Sequence, residues 1–346
     1  MKHKRTLVLI PVVVGLLLGG MLLIARTTAA GTPPEDSANA VVHTADAGSW
    51  SSGWQAINQG QTITFTHNLG LAPEQLRVEL WFRDSNGGRG INRANYGGVE
   101  NNGAWHGAYW QHLTASSVQV TRMPSDTVAD QIRIRVWDAA TPDYDSGWRT
   151  ISPGSNTLFN HNLGITDTEL AMSMWFSDTV HGIHHFSYGG LLAGNDEIGA
   201  YWMRLTDNSV QVYRRADDTN VEQVRVVVTQ PDPLPDYDSL VALGDWQDVA
   251  AGSVFTFTHN LNWNPNLLLV RGECYDTTPG GAGIHQIFAG GNAGLGSFLE
   301  GAHVQNLTAN TVRFVRWTND ASCDRARVRV WKRSFQRFLP LISRDS

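Results

Sequence analysis

The 346 residues leave room for two or three domains, and a formal charge of −6 argues against a nucleic-acid partner. Residues 1–30 carry four basic and no acidic side chains, so the charge becomes −10 without them and the exclusion strengthens. Outside that segment no apolar period of 3.6 is sustained. Short runs rich in Val, Ile, Phe, Trp and Thr are instead separated by Gly, Asn and Asp, which predicts an all-β fold.

In chain order, Lys2, Lys4 and Arg5 precede 19 uncharged residues, Leu7 to Ala25, and then Thr28-Ala29-Ala30-Gly31, a small-residue cleavage site. Residues 1–30 therefore read as a signal peptide. An uncleaved N-terminal anchor is the alternative, because the run approaches membrane-spanning length. Either way the remainder is extracellular, secreted or attached to the cell surface, and the membrane is a partner only through that anchor. Residues 31–48, small and polar with Pro33 and Pro34, read as a flexible lead-in.

Phe65-Thr66-His67-Asn68-Leu69-Gly70 recurs as Phe159-Asn160-His161-Asn162-Leu163-Gly164 and as Phe257-Thr258-His259-Asn260-Leu261-Asn262. One module is written three times, over residues 49–138, 145–230 and 237–333, with a tail at 334–346. Gly70, Gly164 and Asn262 share a position, and Gly and Asn most readily take positive φ, so a left-handed turn is predicted after each strand. The histidine reads as a hook that holds a backbone group through one ring nitrogen, with a catalytic or metal role as the alternative. The linkers Pro142-Asp143-Tyr144-Asp145-Ser146 and Pro235-Asp236-Tyr237-Asp238-Ser239 also match.

Each module is predicted to be a six-stranded antiparallel β-sandwich, with strands in the first at about 53–58, 61–67, 75–83, 107–113, 117–122 and 131–137. Strand three turns Leu76, Val78, Leu80 and Phe82 inward, and Trp81 and Trp175 fall on its outward parity. Strand six turns Ile132, Ile134 and Val136 inward and Arg133, Arg135 and Trp137 outward, with Arg225 and Arg327 in the other copies. An outward Arg row reads as a solvated or edge-guarding face. Trp54, Trp148 and Trp246, at the strand starts, read as core. Between strands three and four lies a long polar and aromatic loop, at 90–98, 182–190 and 283–291. Loops of that length are often functional, although part of it can pair as an edge strand. Cys274 and Cys323, the only cysteines, take apolar positions of the third copy and are predicted to form a disulfide. The tail ends in Phe338-Leu339-Pro340-Leu341-Ile342, similar to the endings of some secreted bacterial proteins.

The opening Gly-Trp pairs, the closing Arg133-Ile134-Arg135-Val136-Trp137 and Arg327-Val328-Arg329-Val330-Trp331, and the six strands between them resemble the H-type lectin domain. The His-Asn-Leu-Gly turn also resembles repeats of phage tail-fibre and related adhesive proteins. The lectin resemblance implies a six-stranded sandwich, a trimer and binding of galactose-type sugars. The family's sugar site uses an Arg with an adjacent Trp-His pair. Here the nearest match is Trp105-His106, which has no counterpart in the other copies, so the sugar preference is not carried over.

No nucleophile elbow, H-E-x-x-H helix, phosphate-cradling loop or Cys-x-x-Cys is present, and the chain reads as non-enzymatic, without cofactor. His181, His184 and His185 form a cluster that suits zinc or copper, but it belongs to one copy and no metal is predicted. An up-and-down arrangement places loops one to two, three to four and five to six together, far from His67. Asp84, Asn92, Tyr96, Trp110 and Arg122 converge there, with Asp178, His184, Tyr188, Trp202 and Arg214 as the second set. Carboxylate, Arg, His and Tyr together have the chemistry of a shallow polyol site; an Arg122–Asp126 ion pair tying down the loop is the competing reading. The third copy has Ala289 for Tyr96 and His303-Val304 for Tyr109-Trp110, a loss of aromatics that points to recognition, with different packing around the disulfide as the alternative. Two functions follow: a secreted lectin whose partners are glycans or cell-surface glycoconjugates, or a structural or adhesive module whose partners are proteins, reached through exposed Trp81 and Trp175. Short linkers would set the copies side by side, imitating a trimer within one chain, with Trp81 and Trp175 among the contacts between copies.

Overall fold

Thr62, Thr64 and Thr66 are exposed while Phe65 is buried and Ile63 half-buried, so the alternation in the sequence becomes a strand with one face in the core. The computed structural model describes residues 48–333 other than 102, 140, 194–195, 232 and 294–298. The expected signal peptide, residues 31–47 of the lead-in and the C-terminal tail lie outside the described residues. The described residues fall within one compact unit, His43–Ser346. Among them no helix is long and apolar enough to cross a membrane.

In the first repeat the strands are β1 (Ser49–Ser51), β2 (Gln55–Ala56), β3 (Thr62–Thr66), β4 (Leu76–Asp84), β5 (Gly90–Asn92), β6 (Val99–Asn101), β7 (Ala104–His106), β8 (Ala108–Gln111), β9 (Ser117–Arg122) and β10 (Gln131–Asp138). One antiparallel sheet runs β1-β10-β4-β5 with β2 also on β10, and a second runs β3-β9-β8. The second repeat has the same orders, Tyr144–Thr150, Gln223–Thr229, Ala171–Asp178, Gly182–His184 and Asn156–Asn160, Ser209–Arg214, Ala200–Met203; the third repeats them from Tyr237 to Lys332. Leu80, Phe82, Ile132 and Ile134 from one sheet and Trp110, Val118 and Val120 from the other close the core, none of them more than 0% exposed. Truncating a core Trp of this kind costs about 3–5 kcal/mol.

Three details depart from the six-strand expectation. The first strand is broken in the first repeat where Gly53 takes φ 63° and Ser52 Oγ accepts the Ile134 N–H at 3.1 Å, and the same arrangement at Ser146 and Gly147 is a bulge in the continuous strand of the second repeat. The insertion of the third repeat is a one-turn helix, Ser239–Leu243, capped by the Asp238 side chain on Leu240 N–H and by Gly244 at φ 83°. The long loop adds β5 to the edge of β4 and builds the β6–β7 hairpin. The predicted disulfide is present between Cys274 and Cys323, where the other copies fill the core with Phe82 and Phe176 against Ala129 and Val221.

The outward faces of the large sheets are covered by neighbouring repeats, which corrects the solvated-face reading. Arg133, Arg135, Arg225, Arg327 and Arg329 are buried. Arg133 donates to Asn266 O at 2.8 Å, Arg225 to Glu74 O at 2.7 Å and Arg327 to Thr168 O. These acceptors occupy equivalent positions, so the first repeat grips the third, the second the first and the third the second. Arg135 pairs with Glu79 at 2.9 Å and Arg329 with Glu273, which supplies the counter-charge a desolvated guanidinium needs. Trp81 and Trp175 are 0% and 4% exposed and lie between repeats, the inter-repeat contact expected of a side-by-side arrangement and not exposed rings that await another protein. Trp175 sits under Arg77 of the first repeat at 4.3 Å. Trp54 and Trp148 likewise leave the core, donating across interfaces to Asn266 Oδ1 at 2.8 Å and Glu74 Oε1 at 3.3 Å. Of the three rings read as core, Trp246 alone is buried.

Candidate functional site

The long loops meet where the three repeats converge. Asn95 N–H donates to Gly290 O at 2.7 Å, Ser187 N–H to Gly97 O at 2.9 Å and Phe288 N–H to Gly189 O at 2.8 Å, a closed cycle of equivalent bonds. All six residues have positive φ, from 50° at Phe288 to 96° at Gly290. A Cβ on Gly189 would lie 2.5 Å from Ala289 N, and one on Gly290 2.6 Å from Tyr96 N. Each loop also continues its neighbour's smaller sheet: His185 N–H donates to Trp110 O at 3.0 Å, Gln286 to Trp202 O at 3.2 Å and Arg93 to Val304 O at 2.9 Å. The loop expected to reach for a ligand is therefore the element that joins the repeats.

Beside this junction lies a cavity of about 490 Å³, lined by all three repeats. Its lining passes from exposed linker residues, Thr141, Gln230 and Pro233, past Glu79, Ser173 and Arg271, to buried Tyr96, Tyr188 and Gly290. The mouth is thus at the linker end, not at the far end predicted from strand order.

Two of three sectors at the inner end are plugged alike. Trp110 Nε1 donates to Tyr96 Oη at 3.1 Å, and Tyr96 Oη lies 2.7 Å from His185 Nδ1. His185 Nε2 is 2.7 Å from Met174 O, so Nε2 carries the proton and Nδ1 accepts from the tyrosine. In the next sector Trp202 Nε1 donates to Tyr188 Oη at 3.3 Å, and Tyr188 Oη to Gln286 Oε1. Burial pushes the Tyr96 hydroxyl up to about 12 and raises Tyr188, while it holds His185 well below the ordinary imidazole value. In the third sector the equivalent residues are Val304, Ala289 and Arg93, and Gly272 stands for Leu80 and Met174. The plug is missing there, and the cavity extends into the third repeat, against Gly272, Ala302, Val304 and Phe314.

The ten residues expected to bind a ligand are all buried, which corrects the picture of a shallow surface site. Tyr96 and Tyr188 line the cavity; Trp110 and Trp202 stand behind them as donors. Asp84 caps its own loop, accepting N–H groups of Asn86 at 3.1 Å and Arg89 at 3.3 Å. Arg122 and Asp126 form the competing ion pair at 2.8 Å, and Asp126 also accepts the N–H of Gly107 at 2.7 Å and Ala129 at 2.8 Å. Arg214 repeats this with Asp218 and Arg316 with Asp320, each at 2.8 Å. The turn histidine is the expected hook: His67 Nδ1 accepts Leu69 N–H at 3.3 Å. Asn68 and Gly70 take φ 51° and 70°, and Asn262 48°, as the turn predicts. The lining cations Arg77, Arg93 and Arg271 have no signature in the sequence, because their parity or loop position carries no sign of what faces them.

Asp178, His181 and His184 bring one donor atom each within 4.8 Å of one another, a spacing that suits a metal ion. The hydrogen bonds decide otherwise. His184 Nδ1 accepts Phe186 N–H at 3.0 Å, as His285 Nδ1 accepts Ile287 N–H at 3.0 Å and Asn92 Oδ1 accepts Ala94 N–H at 3.0 Å. That bond puts the proton of neutral His184 on Nε2, the atom 3.3 Å from Asp178 Oδ2, where a metal ligand must present a lone pair. Burial would raise the Asp178 carboxyl, but hydrogen bonds from His184 and His181 hold it below the usual carboxylate range. His185 points instead to the junction, so the predicted histidine cluster is divided between two structural tasks.

Against known proteins, the chain matches no family model, no curated protein and no solved structure.

Proposed function

We propose that the chain is a secreted, lectin-like carbohydrate-binding protein that acts without catalysis and takes its ligand into the cavity between its repeats. The observation that supports this is the unplugged third sector, which opens into the cavity of about 490 Å³; the inner end of that cavity combines Tyr96 and Tyr188 with Arg93 and Gln286, and Ser173 lines its middle. Tyrosine rings offer an apolar surface, and the others donate to or accept from hydroxyls, the combination a small polyol needs. The aromatic residues absent from the third repeat are then the means of opening the site. The test is a glycan array read beside the variant Ala289→Tyr, which restores the missing plug. Reproducible signal that disappears in the variant, at an unchanged melting temperature, is the expected result; signal that survives would move sugar binding elsewhere.

A second reading, an adhesive module that binds protein, draws on exposed apolar side chains in and beside the inserted helix, Leu234 at 73% and Val241 at 81%. A blank array together with self-association that Val241→Ser removes would favour it.

A further inference from the structure

We infer that the open sector at Arg93 is a carboxylate site, so that, on the saccharide reading above, the sugar it takes is a sugar acid of the uronic type. The argument starts from what replaces what. At the two plugged sectors, the residue following the short edge strand accepts a hydrogen bond from a tyrosine hydroxyl of the preceding repeat: Tyr96 to His185, Tyr188 to Gln286. At the third sector both halves change at once. The tyrosine becomes Ala289, and the acceptor becomes Arg93, which has donors and no acceptor. A guanidinium thus stands beside a space from which a hydroxyl has been removed; its one side-chain acceptor among the described residues is the neutral Tyr96 hydroxyl of its own repeat, so a further group that meets it must accept hydrogen bonds.

Arg93 is positioned for this. Its backbone is anchored by the bond to Val304 O at 2.9 Å, and its guanidinium lies 4.2 Å from the Tyr96 ring centroid and 5.8 Å from that of Trp81. These rings fix its plane without neutralising it. Among the described residues no carboxylate lies within the 4.0 Å ion-pair distance of Arg93, in contrast with the interface arginines Arg135, Arg225, Arg327 and Arg329, which all have one. Arg77, further along the lining, also has no such partner, and burial together with Arg225 lowers it to about 10. The acid near the middle of the cavity, Glu79, is committed to Arg135, and Arg271 is committed to Glu273 at 3.2 Å. The inner cavity is therefore electropositive inside a chain whose formal charge is −6. A planar guanidinium meets a carboxylate through two parallel hydrogen bonds, and Gln286 keeps its amide N–H₂ for a neighbouring hydroxyl.

Isothermal titration of the whole chain with D-galacturonate, D-galactose and benzoate tests the site and the saccharide reading separately. The expected result is galacturonate binding at least ~10-fold tighter than galactose, reduced ~10- to 100-fold by Arg93→Gln, the range for one charge-assisted pair. Ala289→Tyr should remove it without lowering the melting temperature. Galactose binding as tightly as galacturonate, or galacturonate binding unchanged in Arg93→Gln, overturns the carboxylate site and leaves the saccharide reading standing. Benzoate binding that depends on Arg93, with neither sugar bound, keeps the carboxylate site and overturns the saccharide reading. If none of the three binds, both fail.

Discussion

The His-Asn-Leu-Gly turn and the loop at the junction of the repeats both occur three times, and both rely on left-handed backbone. The turn keeps nearly the same letters each time because every group it needs is within its own repeat. His67 holds Leu69 N–H, and Asn68 and Gly70 donate to Ser116 O and Ala115 O at 3.0 and 2.8 Å. The junction loop keeps its backbone bonds while its side chains change, from Asn95 to Ser187 to Phe288 and from Tyr96 to Tyr188 to Ala289. Its specification lies in main-chain groups and in glycines pressed against another repeat, so the side chains are free to differ, and the difference opens one sector of three. Recurrence of letters marks a local requirement; recurrence of backbone with changing letters marks an assembly surface that can carry a site.

The largest effect should separate the two regions outright. A Cβ on Gly189, at φ 88°, would lie 2.5 Å from Ala289 N of the next repeat, whereas one on Gly70, at φ 70°, meets nothing within 4 Å. Gly189→Ala is expected to cost more than ~4 kcal/mol or prevent folding, and Gly70→Ala only the ~1–2 kcal/mol of a left-handed alanine. Urea denaturation gives both values, and equal losses would erase the distinction. Acid should act next. Burial lowers His185 and His285, and lowers His303 to about 3. The unfolded chain then binds more protons than the folded one. Stability is complete above pH 6.5 and falls as pH drops towards the folded values, by roughly 2 kcal/mol for His303 alone at pH 5. The turn histidines, also lowered by burial, add a smaller share. Hydrogen exchange at pH 5 should show the Asn95, Ser187 and Phe288 amides opening before those of His67 and Asn68; the reverse order would make the turn the acid-labile region.

His67→Ala should cost ~1–2 kcal/mol, since it removes a long hydrogen bond and a buried ring beside Trp50, and should leave ligand affinity unaltered. A change in binding would tie the turn to the site. The smallest effect is expected from Asn262→Gly. At φ 48° asparagine already tolerates the conformation, so the melting curve should move by less than ~0.5 kcal/mol.

What the sequence determined by itself is whatever depends on near neighbours. Strand alternation fixed which face of Thr62–Thr66 or Leu76–Asp84 enters the core, the Gly or Asn after each strand announced the left-handed turn, and two cysteines at apolar positions announced their bond. Tyr96 and Tyr188, which line the cavity, were legible as a distinctive pair because a third copy without them could be compared within the chain. The tertiary structure alone decided what covers the outward faces. Period-2 alternation says that Trp81, Arg133 and Arg135 leave their own sandwich, but not whether water or another repeat receives them, since the same parity serves both. It also decided that the polar loop is a junction and that Arg93 faces an unfilled space. Those properties belong to contacts between residues almost 200 positions apart, such as Asn95 with Gly290, for which no local pattern exists.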